Sequence, residues 1–421
     1  MEMLDSIAAA LGSAVGEAVA RPDGAAVPGS HAARPILQLN RFPVSIDTAT
    51  FRKALSARDP GGDQRPLFAF RQLVDPVPTF TRSYSASAGS TEQIYAELLD
   101  GASVNGESAF PAGVLSKARA VFESEKFANL DGSHGMWRPV YAVPEDWSTA
   151  GPERFRSIDI DLDALGTPQS AFAMIGDAEH AALRIGSNDA DGDTNTAADR
   201  VHSVRVEYLL VGLRRPWLDP MLFETSEWFL SGQDAGFCST GKLSGNRGVL
   251  PLIPTGLLLG RTVDVTADWS AAERLMLSKA NSGGDPVSLG PFLLSASGDA
   301  GSTLQIIGWT SVLVPFSPKM TKNTAGSVLV DNRGGFLARF SVEWNEGAER
   351  RVKKTDNFRV LASAEIAIPV NASKIVVKIE IMTFPTPFET WKSFDSLSFD
   401  KPVVKKYVLS GTTFDPILKE A

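Results

Sequence analysis

The first candidate for chemistry is an acidic segment, SNDADGDTNTAAD, at residues 187–199. Asp189, Asp191 and Asp193 alternate there with small or polar residues, so three carboxylates could surround one point of a flexible loop. Ca²⁺ is a hard cation that takes oxygen ligands from such loops. The EF-hand register fails, because the last position of such a loop, which should be glutamate, is Ala198. A calcium site of another type is one interpretation of this segment, and a solvated acidic loop is the other.

A glycine-rich segment, GFCSTGK at residues 236–242, has the spacing of a phosphate-binding loop. Such a loop also needs a serine or threonine after its lysine to ligate Mg²⁺, and Leu243 stands at that position. The sequence LSGNRG follows where a helix would have to begin. We therefore predict a turn here rather than a nucleotide site.

Residues typical of catalysis are few and scattered. The sequence contains no G-x-S-x-G or H-E-x-x-H motif. Cys238 is the only cysteine, and its place beside Phe237 is typical of a small buried apolar residue. The histidines lack the short spacings of zinc ligands; they are His31, His134, His180 and His202. We therefore predict a protein that is not an enzyme and has no cofactor apart from the candidate calcium ion.

Composition sets the outer limits. A chain of 421 residues with 43% hydrophobic and 21% charged residues is typical of a soluble protein with about two or three domains. The net charge of −8 argues against a nucleic-acid partner. Glu2 and Asp5 stand where a signal peptide is positive, so we predict a short amphipathic helix there. The sequence contains no uninterrupted apolar stretch of about 18 residues, so we expect no membrane-spanning helix. If the protein leaves its cell, we expect a non-classical route.

Turn signals and periodicity divide the chain into four segments. Residues 1–34 read as a helix followed by an Ala/Gly/Pro-rich tail, and residues 35–216 as a mixed α+β domain. Residues 217–318 have dense turn signals and β-prone runs, which predict a β-rich domain. Residues 326–421 form the fourth segment. The predicted class is therefore β-rich and multidomain, with an α+β N-terminal region and a C-terminal immunoglobulin-like antiparallel β-sandwich.

Individual elements can be placed in the second segment. Helical spacing predicts helices at 91–100 and 112–126. Alternation with a period of two predicts strands at 157–163 and 202–212. The first of these strands carries three alternating aspartates, which are typical of the exposed face of an edge strand.

The clearest pattern lies in the last hundred residues. The segment GFLARFSVEW at 335–344 alternates apolar and polar residues, and so does 375–381. Further runs at 364–370 and 403–410 complete at least four strands of a small sandwich. Residues 319–421 carry 16 Lys and Arg against 12 Asp and Glu, while the remainder is acidic. This polarity suits contact with an anionic surface, and chance segregation is the alternative.

An apolar segment, IEIMTFPTPFETWK at 379–392, follows one of these strands. Its two prolines remove backbone donors, so a loop is expected at 384–388. Loops are normally polar, so these side chains indicate either an anchor for an external partner or a cap on the core. Lys405 and Lys406 are expected near this loop. The candidate contact residues are Met382, Phe384, Phe388, Trp391 and Lys392.

This region resembles the C-terminal membrane-recognising β-sandwich of the cholesterol-dependent cytolysins. In that family a strand runs into a tryptophan-rich loop, whose place FETWK at 388–392 takes here. A later Thr-Leu pair of the family is implicated in sterol recognition, and Thr413 and Phe414 take its place. The resemblance rests on three segments in the family's order, at 334–344, 366–392 and 405–416.

The chain also departs from that family. The loop lacks the family's cysteine and two of its three tryptophans, and Phe414 replaces leucine. Residues 1–318 give no sequence signature of the family's pore-forming domain, a bent sheet with paired helix-to-hairpin segments. The resemblance therefore implies a membrane-recognising sandwich without implying cholesterol as its target.

Two functions from different classes remain open. The first is a non-enzymatic membrane- or surface-recognising protein of cytolysin or toxin type, which binds a lipid membrane or a surface glycan and forms a homo-oligomer. The second is a structural or assembly protein whose sandwich docks a protein partner. Neither includes a nucleic acid.

Overall fold

The computed structural model divides into two compact units. The first comprises Met1–Asp100, Ser116–Glu224 and Phe237–Phe316, and the second Gly101–Leu115, Thr225–Gly236 and Ser317–Ala421. The structure describes residues 3–19, 35–104, 109–163, 172, 175, 184–187, 196–197, 201–281, 287–294, 304–321, 324–347, 349–384 and 390–421.

The described residues form helices and strands that we number in chain order. The helices are α1 (Met3–Val19), α2 (Gln64–Val74), α3 (Thr91–Gly101), α4 (Ala109–Ser124), α5 (Met221–Glu224) and α6 (Ala271–Asn281). The first sixteen strands are β1 (Ile36–Ser45), β2 (Pro76–Pro78), β3 (Ala86–Ser90), β4 (Ala102–Val104), β5 (Phe127–Ala128), β6 (Met136–Trp137), β7 (Tyr141–Val143), β8 (Arg156–Asp161), β9 (Arg184–Ser187), β10 (Thr196–Ala197), β11 (Val201–Arg214), β12 (Trp228–Leu230), β13 (Leu252–Ala267), β14 (Val287–Leu289), β15 (Phe292–Leu294) and β16 (Gln305–Leu313). The remaining strands are β17 (Thr324–Asn332), β18 (Ala338–Glu346), β19 (Glu349–Lys354), β20 (Ala362–Pro369), β21 (Ala372–Phe384), β22 (Thr390–Phe399), β23 (Val404–Gly411) and β24 (Pro416–Glu420).

A six-stranded antiparallel sheet organises the first unit. Its strand order is β1-β16-β13-β11-β7, and β8 also pairs with β11. The long central strand β13 is buried over most of its first half and alternates between half-buried and exposed residues in its second half. This change is typical of a strand that runs from a fully covered part of a sheet to an edge open to water.

Two long chain connections leave the same end of this sheet. One joins β8 to β11 and contains β9 and β10, and the other joins β13 to β16 and contains α6, β14 and β15. The four short strands pair with each other in the order β10-β9-β14-β15. Residues of α1, the small sheet and the large sheet share one apolar core, which includes Ile7, Leu11, Val204, Phe292 and Ile307.

The structure corrects the predicted division at residues 216 and 217. β11 pairs with β13 from Val201 to Gly212, so segments 35–216 and 217–318 contribute to one sheet. The prediction of two separate domains there was wrong, because the chain between the two strands enters the second unit only at Thr225–Gly236 and then returns to the same sheet. The predicted helices and strands of the second segment are confirmed as α3, α4, β8 and β11.

Two four-stranded sheets form the sandwich in the second unit. Their strand orders are β20-β17-β23-β24 and β19-β18-β21-β22. The alternating apolar residues of both sheets share one buried core, as predicted for 335–344 and 375–381; its members include Val328, Phe340, Val342, Ile379 and Leu409. The same unit contains the short pair β4 and β12. The predicted β-rich, multidomain class is confirmed.

One strand pair departs from the predicted antiparallel pattern. β17 and β23 run parallel, from Ser327 beside Val404 to Asn332 beside Leu409. The chain between the two strands crosses to the other sheet and back, which allows a parallel neighbour. No helix in the described part of the chain is long and apolar enough to cross a membrane.

Candidate functional site

Three loops and one hairpin neck lie at the same end of the sandwich, which we call the loop end. β17 ends at Asn332, beside Leu409 near the end of β23. β18 follows after a short loop and begins at Ala338, opposite Ile381 near the end of β21. Both sheets therefore present these strand ends on one side. The loop end consists of residues 333–337, 355–361 and 412–415, with the ends of β21 and β22 at Phe384 and Thr390.

One buried asparagine ties the loops of this end together. Asn332 donates from Nδ2 to the carbonyl oxygens of Phe336 at 2.7 Å and Phe358 at 3.4 Å. Its Oδ1 accepts from the Gly334 N–H at 3.0 Å, and its own carbonyl accepts from the Leu361 N–H at 2.6 Å. A buried amide with its partners satisfied fixes the backbone around it. These loops are therefore positioned from inside the sandwich.

The turn between β23 and β24 displays an aromatic ring. The N–H of Thr412 donates to the Asp415 carbonyl, and the N–H of Asp415 donates to the Thr412 carbonyl, both at 3.2 Å. Gly411 precedes the turn with a φ of 89°, and a Cβ there would lie 2.2 Å from the Asp415 oxygen. Phe414 lies between these hydrogen bonds, and its side chain is 96% exposed. The turn thus holds an apolar ring in water.

A second apolar side chain is displayed by the loop before β20. Leu361 has a φ of 63°, a left-handed conformation that bulky residues rarely adopt. Its side chain is 84% exposed, and the neighbouring Val360 is exposed as well. The hydrogen bond of its N–H to Asn332 holds this backbone conformation in place. The loop end therefore carries exposed apolar side chains on two separate loops.

The hairpin of β21 and β22 has a well-defined neck. Met382 lies opposite Trp391, and Thr383 Oγ1 lies 2.8 Å from Thr390 Oγ1. Trp391 is half-buried on the outer face of the sheet, where the Arg339 guanidinium carbon lies 4.0 Å from the centre of a Trp391 ring. Both predicted residues of this neck are thus strand residues and not loop residues.

The other predicted contact residues have different surroundings. Phe384 is the last residue of β21 and pairs with Thr390, so the predicted loop begins one residue later. Lys392 is exposed, and Thr413 is half-buried in the turn that displays Phe414. Phe388 lies in 385–389, outside the described residues.

The expectation that Lys405 and Lys406 lie near this loop was wrong. Lys405 and Lys406 lie beside Val328 and Leu329, near the start of β23 and away from the loop end. Lys405 contacts the Glu420 carboxylate of the neighbouring edge strand. The error has a simple cause: the strand between these lysines and the turn is long enough to separate them.

The basic cluster of β19 is mostly paired with carboxylates. Glu380 accepts first from Arg339, and this hydrogen bond holds the pKa of its carboxyl below the ordinary value. Glu343 and Glu380 are each shared by two cations, so this face of the sheet keeps some positive charge. The pairs made by β19 are Arg350 with Glu343, Arg351 with Glu349 and Lys354 with Glu380.

The glycine-rich segment 236–242 is a turn, as predicted. Asn246 Oδ1 accepts from the N–H groups of Thr240 at 3.0 Å and Gly248 at 3.2 Å. Ser239 Oγ accepts from Asn246 Nδ2 at 2.9 Å. A phosphate-binding loop needs free N–H groups that point to its anion. Here a buried side chain of the protein itself takes them.

The calcium hypothesis stays a prediction. Asp189, Asp191 and Asp193 lie in 188–195, outside the described residues. Within the part of the chain that the structure describes, no group of three or more His, Cys, Asp or Glu could hold a metal. A rise in melting temperature with millimolar Ca²⁺ is the measurement that checks the hypothesis. Cys238 is fully buried, as predicted.

Solved structures of cytolysins match this chain at low scores. The membrane-binding domain of pneumolysin is 19% identical, covering 23% of this chain and 95% of that one, with a TM-score of 0.20. Pneumolysin, known from Streptococcus pneumoniae, is 13% identical over 52% of this chain and 59% of that one, with a TM-score of 0.19. The cytotoxin protein suilysin from Streptococcus suis is 13% identical over 92% and 89%, with a TM-score of 0.19.

Similarity at this level assigns no role to any residue of this chain. No protein-family model and no curated protein sequence matches it.

Sequence reasoning missed two features of the loop end. Leu361 was not singled out, because a single leucine ahead of the predicted strand at 364–370 carries no sequence signal of exposure. Arg339 was assigned only to the exposed face of its strand, and its contact with Trp391 depends on the register of three strands. A β-bulge between Ile379 and Glu380 sets that register, and no sequence signal marks it.

Proposed function

We propose that this protein is a non-enzymatic, toxin-type protein of cytolysin kind that recognises a membrane surface through the loop end of its sandwich. One observation carries the proposal: Phe414 is 96% exposed on a turn closed by two hydrogen bonds. Transfer of an exposed phenylalanine side chain from water into an apolar phase is favourable by about 1.5–3 kcal/mol. Leu361 adds a second such side chain from another loop.

Charged side chains of both signs lie at this end. Arg359 and Lys392 are exposed there, and so are Asp356 and Asp415. Each exposed cation near an anionic bilayer surface contributes about 1 kcal/mol. Apolar tips flanked by cations are typical of proteins that bind at a membrane interface.

The predicted contact residues enter this proposal with different roles. Phe414 is the anchor, Thr413 is its half-buried neighbour in the turn, and Lys392 contacts headgroups. Met382 and Trp391 form the neck of the hairpin. Phe384 and Phe388 are proposed, from the sequence, as further apolar contacts.

The remainder of the chain would assemble or deliver the sandwich. The large antiparallel sheet has two long connections at one end, of which the second contains a helix and a hairpin. This layout supports a pore-forming role of the kind that the cytolysin resemblance implies, with a homo-oligomer as the active form. Residues 326–421 are proposed as a domain with its own core, which a β-type circular dichroism spectrum of that fragment checks.

Co-sedimentation with vesicles tests the proposed function. The full chain should sediment with phosphatidylcholine vesicles that contain phosphatidylserine, and a second series with sterol asks whether sterol adds affinity. An oligomer that forms without lipid and ignores all vesicles would support the protein-docking alternative instead. Binding to cell membranes but to no protein-free vesicle would point to a surface glycan.

A further inference from the structure

The contact between Arg339 and Trp391 is part of a longer chain of interactions across the outer face of the sandwich. The Arg339 guanidinium binds Glu380 with two nitrogens, at 2.8 and 3.2 Å. Lys354 Nζ lies 3.0 Å from the same carboxylate. The guanidinium is therefore held in one plane and one place, and Trp391 packs against it at 4.0 Å.

The contact between Arg339 and Trp391 spans three strands of the sheet. Arg339 belongs to β18, Glu380 to β21 and Trp391 to β22, so the guanidinium crosses the middle strand to reach the ring. A cation within about 6 Å of a tryptophan ring centre is attracted by the ring, and tryptophan is the strongest aromatic partner. Because Glu380 fixes the cation, the ring is held close to the sheet.

We propose that Arg339 is a positioning residue that keeps Trp391 on the sheet, so that Trp391 supports the hairpin neck and does not enter the lipid. The inference rests on the proposed function where it concerns lipid. It assigns membrane insertion to Phe414 and Leu361, whose side chains make almost no contact with the sandwich. Glu380 acts one step further away, because it orients Arg339.

Tryptophan fluorescence can test this without lipid. The chain has eight tryptophans. The structure buries six of them and partly buries Trp269. Most emission that a water-soluble quencher can reach therefore comes from Trp391 and Trp269. The difference between each protein and its W391F counterpart isolates the signal of Trp391.

The lipid-free experiment compares acrylamide quenching in the wild type and in four variants. R339Q should raise the quenching constant of Trp391 by about twofold or more, since the ring loses the cation that holds it. R339K keeps a cation, so its quenching constant should be close to that of the wild type. The quenching constant of E380Q should lie between those of the wild type and R339Q. R350Q removes a cation that is paired with Glu343 on the same sheet. Among the described residues no aromatic ring packs against Arg350, so R350Q should leave the quenching of Trp391 unchanged. Equal quenching in R339Q and the wild type, with melting temperatures unchanged, would overturn the proposal.

The lipid experiment uses vesicles of brominated phosphatidylcholine with phosphatidylserine. In the bound wild type the Trp391 signal should stay unquenched by bromine, and in bound R339Q it should be quenched. Strong quenching of Trp391 in the wild type would overturn the proposal while leaving membrane binding intact. If the wild type binds no vesicle, the proposed function fails, and the acrylamide series still decides the role of Arg339.

Discussion

Two glycine-containing turns of this molecule use their hydrogen bonds in opposite ways. In the segment that follows Gly236, the backbone N–H groups point inward to Asn246, which is buried. In the turn that follows Gly411, the hydrogen bonds join Thr412 and Asp415 to each other, and the side chain between them points into water. In the first turn the backbone N–H groups are bound by a side chain of the protein itself. In the second turn the ring of Phe414 has no apolar partner in its own turn.

The difference shows why glycine spacing alone says little about function. A turn becomes a binding site when its polar groups or its side chains lack a partner within the protein. Around Asn246 the amide partners are internal, so substitution there should affect stability. The exposed Phe414 ring contributes little to the fold, so its substitution should affect membrane binding.

The largest effect is expected for the exposed anchors. Replacing Phe414 and Leu361 together by serine should weaken vesicle binding by about two to four orders of magnitude, from about 1.5–3 kcal/mol per side chain. The melting temperature should stay nearly constant, because exposed side chains contribute little to the core. V404S serves as the control, since Val404 is 41% exposed at the start of β23, away from the loop end. If the double variant lost much stability and still bound vesicles as the wild type does, Phe414 and Leu361 would be structural residues and not anchors.

The buried turn should show the reverse behaviour. N246A leaves the N–H groups of Thr240 and Gly248 without their acceptor and should lower the free energy of unfolding by about 2–4 kcal/mol. Urea denaturation measures this change, and vesicle binding of the folded variant should remain as in the wild type. N357A, at an exposed asparagine, should stay within about 0.5 kcal/mol.

A smaller effect is expected from Gly411. An added Cβ would collide with the Asp415 oxygen, and the φ of 89° is strained for alanine. G411A should therefore cost about 1–2 kcal/mol of stability and reduce vesicle binding as the turn shifts Phe414. G335A is the matched control, because a Cβ at Gly335 meets nothing within 4 Å. Unchanged stability and binding in G411A would show that the turn tolerates another shape.

The smallest effect concerns an exposed polar contact. His202 lies between Asp163 at 2.8 Å and Asp268 at 3.2 Å, which raise its pKa above the ordinary value of 6.5. Since the pKa is higher in the folded than in the unfolded chain, this stabilisation is complete below about 6.5 and is lost as pH rises through the raised pKa. Melting temperatures measured from pH 6 upward should show this loss. In H202Q that dependence should be absent, and its persistence would exclude His202 as the cause.

The sequence predicted the sandwich well because its pattern is local. Phe340 and Val342 in one strand, and Ile379 and Ile381 in another, alternate with polar residues, and each strand can be identified from its own residues. The turn at Phe414 was singled out in another way, through its resemblance to the Thr-Leu pair of the cytolysins. Local patterning is enough where each element has one covered face.

The large sheet and the details of the loop end could not be predicted in this way. β1 pairs with β16, which is far away along the chain. No local pattern around Ile36 or Ser311 indicates that these two residues are paired. The exposure of Leu361 depends on a hydrogen bond to Asn332, and two strands of the chain lie between these residues. These features follow from long-range register, which a single sequence does not show.

The most direct test of the central claim is an environment-sensitive fluorophore attached at position 414. The only cysteine of the natural sequence is fully buried, so a nitrobenzoxadiazole label on F414C should attach to the new residue. On addition of phosphatidylcholine and phosphatidylserine vesicles, its emission should increase and shift to the blue, while the same label on V404C should not respond. Co-sedimentation of the labelled protein with no change at position 414, or an equal response at both positions, would contradict binding through the loop end.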